Sequence, residues 1–81
     1  MKATLKLPRI SMNMEEGTIR QWRKRPGESF RQGEILYDIE TEKATLEVEA
    51  PCDGMLVEIL VPNGETAEVG AAVCRIEQTA G

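Results

Sequence analysis

Histidine is absent from this 81-residue chain, and the aromatic residues are one Trp, one Tyr and one Phe. Without histidine the commonest general base and proton shuttle is missing. Ser11 and Ser29 accordingly have no partner to activate them. Cysteine is scarce as well: Cys52 and Cys74 form neither a CxxC pair nor a metal-ligand spacing. They are expected to be two small buried apolar side chains, since a disulfide would require an oxidising compartment. No apolar run approaches the ~20 residues of a membrane helix, and the N-terminus has no signal-peptide hydrophobic stretch. A cytosolic or organellar setting is expected. No window sustains a helical period, and Gly27, Gly33, Gly64 and Gly70 lack the strand-to-helix context of a phosphate loop. Catalysis by the chain's own side chains is therefore not expected.

The charge balance is acidic, with 14 Asp and Glu against 10 Lys and Arg and a net charge of −4. That counts against a nucleic-acid binder, which needs a cationic face. The local exception is the basic stretch Arg20, Arg23, Lys24 and Arg25. It reads as a solvated strand end, with contact to an acidic partner as the functional alternative.

What the chain does have is strand. Apolar, partly β-branched segments recur at the spacing of an all-β sandwich or barrel: Thr4 to Leu7, Gly17 to Trp22, Ile35 to Ile39, Thr45 to Glu49, Gly54 to Leu60 and Ala72 to Glu77. The length is that of one domain, residues 1–81 with an ordered core over about 3–78, burying ~60% of the surface of the unfolded chain.

The chain also repeats itself. At a shift of 37, Gly17 falls on Gly54, Gly27 on Gly64, Glu28 on Glu65, Gly33 on Gly70, Ile39 on Ile76 and Glu40 on Glu77. Upstream, the same shift sets Thr4 on Thr41 and Lys6 on Lys43. Three glycines agreeing in one register imply two halves related by an approximate two-fold axis. Under that symmetry the corner between Ile35–Ile39 and Thr45–Glu49 corresponds to the place where the two chain ends meet. The two corners are expected at opposite ends of the molecule.

At the first of these corners stands Lys43, in Glu40-Thr41-Glu42-Lys43-Ala44-Thr45. The strand before it is apolar and the strand after it alternates with period two, so the lysine occupies a hairpin tip where another protein can reach it. Glu40, Glu42, Glu47 and Glu49 surround it with negative charge.

These residues resemble the lipoyl domains of 2-oxo acid dehydrogenase complexes. The likeness runs from Leu7-Pro8 and Met14-Glu15-Glu16-Gly17-Thr18 through Trp22, Pro26-Gly27-Glu28, Gly33-Glu34 and Ile39 to Ala44. It continues over Glu49-Ala50-Pro51, Asp53-Gly54, Gly64-Glu65 and Val69-Gly70. The resemblance implies a flattened barrel of two four-stranded antiparallel sheets with quasi-two-fold symmetry. It also implies lipoate in amide linkage on Lys43, with Glu40, Glu42 and Ala44 as flanking recognition residues. In many family members Asp stands where this chain has Glu42, which keeps the charge and moves it by one methylene.

The partners implied are a lipoyl ligase or transferase, a thiamine-diphosphate 2-oxo acid dehydrogenase, an acyltransferase core and dihydrolipoamide dehydrogenase. No nucleic acid or membrane is implied, and the isolated domain is expected to be a monomer. The setting would be a bacterial cytoplasm or the mitochondrial matrix. Among lipoyl carriers the sequence is most similar to the acyltransferase component of pyruvate dehydrogenase, with the branched-chain, acetoin and 2-oxoglutarate complexes as competitors. It reads as a domain of such a subunit, with Gln78 to Gly81 as the start of a linker, or as a stand-alone carrier. Two rival readings share the fold. A biotinyl carrier would place Met on both sides of the lysine, where this chain has Glu42 and Ala44; a structural adaptor would leave Lys43 unmodified.

Overall fold

The computed structural model describes residues 1–79, so Ala80 and Gly81 of the expected linker lie outside the described residues. Eight strands run in order: β1 (Lys2–Lys6), β2 (Glu16–Trp22), β3 (Ser29–Phe30), β4 (Ile35–Glu40), β5 (Thr45–Glu49), β6 (Gly54–Ile59), β7 (Thr66–Glu68) and β8 (Ala72–Gln78). They form two four-stranded sheets, β1-β8-β6-β3 and β5-β4-β2-β7, with every pairing antiparallel. There is no helix among the described residues. Six strands match the segments expected from the sequence, while β3 and β7 are additional. Being two and three residues long, they are too short to show a period.

Alternation fixes which side of each strand faces the core. In β5, Leu46 and Val48 turn inward while Thr45, Glu47 and Glu49 are exposed. Facing them, Leu36, Tyr37 and Ile39 of β4 and Leu56, Val73, Cys74 and Ile76 of the other sheet are almost completely buried. Trp22 packs its ring 4.6 Å from that of Tyr37, and its indole N–H donates to Val61 O at 2.8 Å, so the polar end of the large side chain is satisfied.

The two-fold symmetry is detailed. A β-bulge between Ile19 and Gln21 in β2 recurs between Leu56 and Glu58 in β6, 37 positions on. Gly27 N donates to Leu56 O, and Gly64 N to Ile19 O, both at 2.7 Å. Gly27, Gly33, Gly64 and Gly70 all take positive φ, between 89° and 96°, a conformation open to glycine at little steric cost. The hairpin closure Thr41 N to Ala44 O, 2.8 Å, is matched by Gln78 N to Met1 O, 2.7 Å. The tip of the β4–β5 hairpin and the meeting of β8 with β1 are thus the same corner, one in each sheet.

Upstream of β2 the shift of 37 fails. Ala3 pairs with Ile76 as Leu46 pairs with Ile39, and Thr4 with Arg75 as Glu47 with Asp38. Strand β1 therefore corresponds to β5 at an offset of 43 (46 − 3). Thr4 is the counterpart of Glu47, not of Thr41, and Lys6 is the counterpart of Glu49, not of Lys43. The six residues of difference (43 − 37) lie in the segment joining β1 to β2, which is longer than the one joining β5 to β6.

Two glycines, Gly17 against the Ile39 side chain and Gly54 against backbone, sit where a side chain has no room. A Cβ on Gly54 would stand 2.7 Å from Glu77 O and 3.2 Å from Phe30 Cζ, and the first of these is backbone of the paired strand. Gly54→Ala should therefore destabilise the domain by about 1–3 kcal/mol, as overpacking does. Urea unfolding is the check, and an unchanged midpoint would show that β6 and β8 have slack to part.

Candidate functional site

Four residues, Thr41 to Ala44, connect β4 to β5. Backbone closure comes from Thr41 N donating to Ala44 O at 2.8 Å. The Thr41 hydroxyl adds to it, donating to Ala44 O at 3.1 Å and accepting from Ala44 N at 3.3 Å and Lys43 N at 3.4 Å. Thr is suited to this because its short hydroxyl side chain reaches the amides two and three residues on. Lys43 is exposed at the tip, and among the described residues it enters no ion pair. Its ammonium is open to an incoming protein.

Beside the tip lies an open groove of about 960 Å³, lined by Ser11 to Thr18 from the β1–β2 segment and β2, and by Glu40 to Lys43. Met14 anchors this segment: it is 4% exposed, its N donates to Ser11 O at 3.1 Å, and Ile10 N donates to its Sδ at 3.5 Å. Met12, by contrast, is 88% exposed. The groove brings an apolar side chain, Glu15, Glu16 and Glu42 to the same side of the molecule as Lys43.

The residues expected to form the site divide in two. Glu40, Glu42 and Lys43 line the groove with the loop from Ser11 to Glu16, and Ala44 is exposed on the tip. Glu47 and Glu49 stand on the outward side of β5 and line none of it. Glu40 is also less free than the sequence suggests, because Arg20 Nη1 lies 3.2 Å from its Oε2.

The basic stretch is correspondingly not a free cationic patch. Arg20 pairs with Glu40, Arg23 with Asp38 at 2.7 Å and Lys24 with Glu34 at 3.2 Å. The carboxylate of Asp38, hydrogen-bonded to Arg23, raises the guanidinium's pKa above its ordinary value. Three of the four cations thus answer to carboxylates of the neighbouring strand and turn. The sequence reading missed these partners and the role of Thr41. Antiparallel registration of β2 with β4, which sets Thr18 against Glu40, and a Thr at the first position of a four-residue turn were the signals available.

Cys74 is fully buried and Cys52 half-buried, and both are free thiols. The expectation of a buried apolar side chain holds for Cys74 and needs correction for Cys52, which is only half-buried in the β5–β6 connection and packs against the edge of the core. Among the described residues no group of three or more His, Cys, Asp or Glu side chains could hold a metal ion.

Known proteins resemble this chain in sequence and in fold. A family described as "Biotin-requiring enzyme", the biotin–lipoyl family, matches residues 3–76. The succinyltransferase component of the Bacillus subtilis 2-oxoglutarate dehydrogenase complex is 40% identical over 79 residues, 98% of this chain and 19% of that protein. The acetyltransferase component of the pyruvate dehydrogenase complex of Rickettsia bellii is 42% identical over 64 residues, 79% of this chain and 15% of that protein. The chain spans less than a fifth of the length of either relative. Among solved structures, the lipoyl domain of the 2-oxoglutarate dehydrogenase complex from Azotobacter vinelandii is 35% identical, with a TM-score of 0.73 and 96% of each chain covered. A multi-domain long-chain acyl-CoA carboxylase contains the fold at 20% identity, with a TM-score of 0.80, 99% of this chain covered and 7% of that one.

Burial pushes the Cys74 thiol up to about 12 from its ordinary value of 9.0. The folded state therefore binds the thiol proton more tightly than the unfolded state does. That stabilisation is complete below pH 9 and is lost as pH rises from about 9 towards 12. Iodoacetamide at pH 8 should accordingly label Cys52 and spare Cys74 in the native protein, and label both in guanidinium. Equal labelling in the native state would contradict the burial of Cys74.

Proposed function

The chain belongs to the biotin–lipoyl attachment family, on its lipoyl side, and from that membership we propose that Lys43 carries lipoate in amide linkage as a swinging arm. The observation that supports this most directly is the exposed, unpaired lysine at a hydrogen-bonded hairpin tip. The fit of the residues to the group is chemical. A primary amine at a reachable apex can be acylated: its nitrogen bonds to the activated carboxyl carbon of lipoate, loses a proton, and the activating group departs. Glu42 and Ala44 flank the lysine, where the biotinyl motif has Met on both sides, so the lipoyl reading is preferred within the family.

When attached, the dithiolane supplies a disulfide that accepts electrons and an acyl group by thiol chemistry. The chain contributes position. Strands β4 and β5 hold the attachment point at a fixed place, so that the tethered arm meets successive active sites as a local search. The partners proposed are a lipoyl ligase, a thiamine-diphosphate 2-oxo acid dehydrogenase, an acyltransferase core and dihydrolipoamide dehydrogenase. For the dehydrogenase, the docking face is the groove with Glu15, Glu16 and Glu42 at its rim and Met12 exposed on its loop. Charge of this kind acts mainly on encounter and is screened by salt.

Two measurements test the reading. Expression with a lipoyl ligase should add one lipoyl mass to the intact protein, and Lys43→Arg should keep the fold and abolish the addition; modification persisting in that variant would refute the assignment. The lipoylated domain should also be reductively acylated by its cognate dehydrogenase faster than free lipoamide at equal concentration. Glu42→Gln should slow that step more than Glu47→Gln, because only Glu42 lines the groove. Equal rates for domain and free lipoamide would reduce the protein to a passive tether.

A further inference from the structure

The Thr41 hydroxyl has one proton and two lone pairs to offer, and all three are engaged within the turn. It donates to Ala44 O at 3.1 Å and accepts from Lys43 N at 3.4 Å and Ala44 N at 3.3 Å. Thr41 N adds a further bond to Ala44 O at 2.8 Å. The side chain therefore grips the backbone of Lys43 itself and of the residue after it, from the base of the turn. No other side chain has a hydrogen bond to the amides of this turn among the described residues. The Lys43 side chain enters no hydrogen bond or ion pair among the described residues, so its direction is inherited from the backbone beneath it.

We propose that Thr41 is a positioning residue for the modification of Lys43, its hydroxyl holding the turn so that the amine is presented in one direction to the modifying enzyme. This rests on the reading of Lys43 as the attachment site. The chemistry distinguishes it from Glu40 and Glu42, which offer charge at the surface. Thr41 is half-buried and its hydroxyl is fully engaged within the turn, so it acts through Lys43. The role depends on the hydroxyl and not on the methyl, because all three side-chain bonds are made by Oγ1. Serine should therefore serve, whereas valine, which keeps the branched shape, should not. The four residues of the turn are largely exposed, and water can satisfy their amides when the hydroxyl is removed, so global stability should change little.

The test compares wild type, Thr41→Ser and Thr41→Val. Ligase-catalysed lipoylation, followed by intact mass, should fall about tenfold in kcat/KM for Thr41→Val, a loss in the range of hydrogen bonds of this kind. Thr41→Ser should stay near wild type. Amide exchange at Lys43 and Ala44 should be faster in Thr41→Val and unchanged in Thr41→Ser, at the same urea midpoint. Acetylation of Lys43 by acetic anhydride, which needs no docking, should proceed at the same rate in all three. Unchanged lipoylation and exchange in Thr41→Val would overturn the positioning role while leaving the carrier reading intact. A serine variant as slow as valine would overturn it too. Wild type that takes no lipoate on Lys43 would remove the carrier reading, and this role with it.

Discussion

The antiparallel registration of β4 with β5 is the constraint on which the rest depends. Ile39 faces Leu46, Tyr37 faces Val48 and Asp38 faces Glu47, so the apolar pairs fall on the inner side and the charged pair on the outer. Slipping this register by one residue would send Leu46 and Val48 into solvent and bring Glu47 and Glu49 into the core. With the pairing locked, the connection has a fixed length, and the residue at its apex has no freedom to change. Lys43 is at the tip because Leu46 and Val48 must be inside.

The same pairing also accounts for the local electrostatics. Strand β4 lies between β5 and β2, so its outward carboxylates have neighbours on both sides. On the β2 side they find Arg20 and Arg23, at 3.2 and 2.7 Å. An exposed ion pair such as Arg20–Glu40 contributes ~0–1 kcal/mol of stability, yet these pairs decide which charges remain unpaired. Glu40 is taken up by Arg20, whereas Glu42, beyond the end of the strand, enters no ion pair among the described residues. The negative face offered beside Lys43 is thus narrower than a count of glutamates implies, and it is centred on the groove.

Much of this was legible in the residues. The six longer strands announce themselves by alternation, the glycines by their spacing, and the hairpin lysine by its position between two strands. What escaped did so for identifiable reasons. Strands β3 and β7 are held by pairing with β6 and β2, a tertiary effect that two or three residues cannot signal alone. The Arg–carboxylate pairs depend on strands 15 to 20 residues apart in sequence, and so need the register before they can be read. The correspondence of Lys6 with Lys43 was misleading because a loop of different length shifts the register without disturbing the strands on either side. Matching residue types across such a loop carries no structural weight.

That loop also explains how a nearly symmetric molecule comes to have one special corner. The core, the bulges, the positive-φ glycines and the turn closures all obey the two-fold, because each half must bury the same kind of surface against the other. A ligand or partner reading only those features would find two equivalent sites. The six extra residues between β1 and β2 break the equivalence, and they fall beside Lys43, where they form one wall of the groove. Anchored by the burial of Met14, they cost the core nothing, since the strands on either side keep their pairing. Stability and individuality are thereby carried by different parts of the chain: the repeated strands make the scaffold, and the unrepeated loop with the unpaired lysine makes the candidate site.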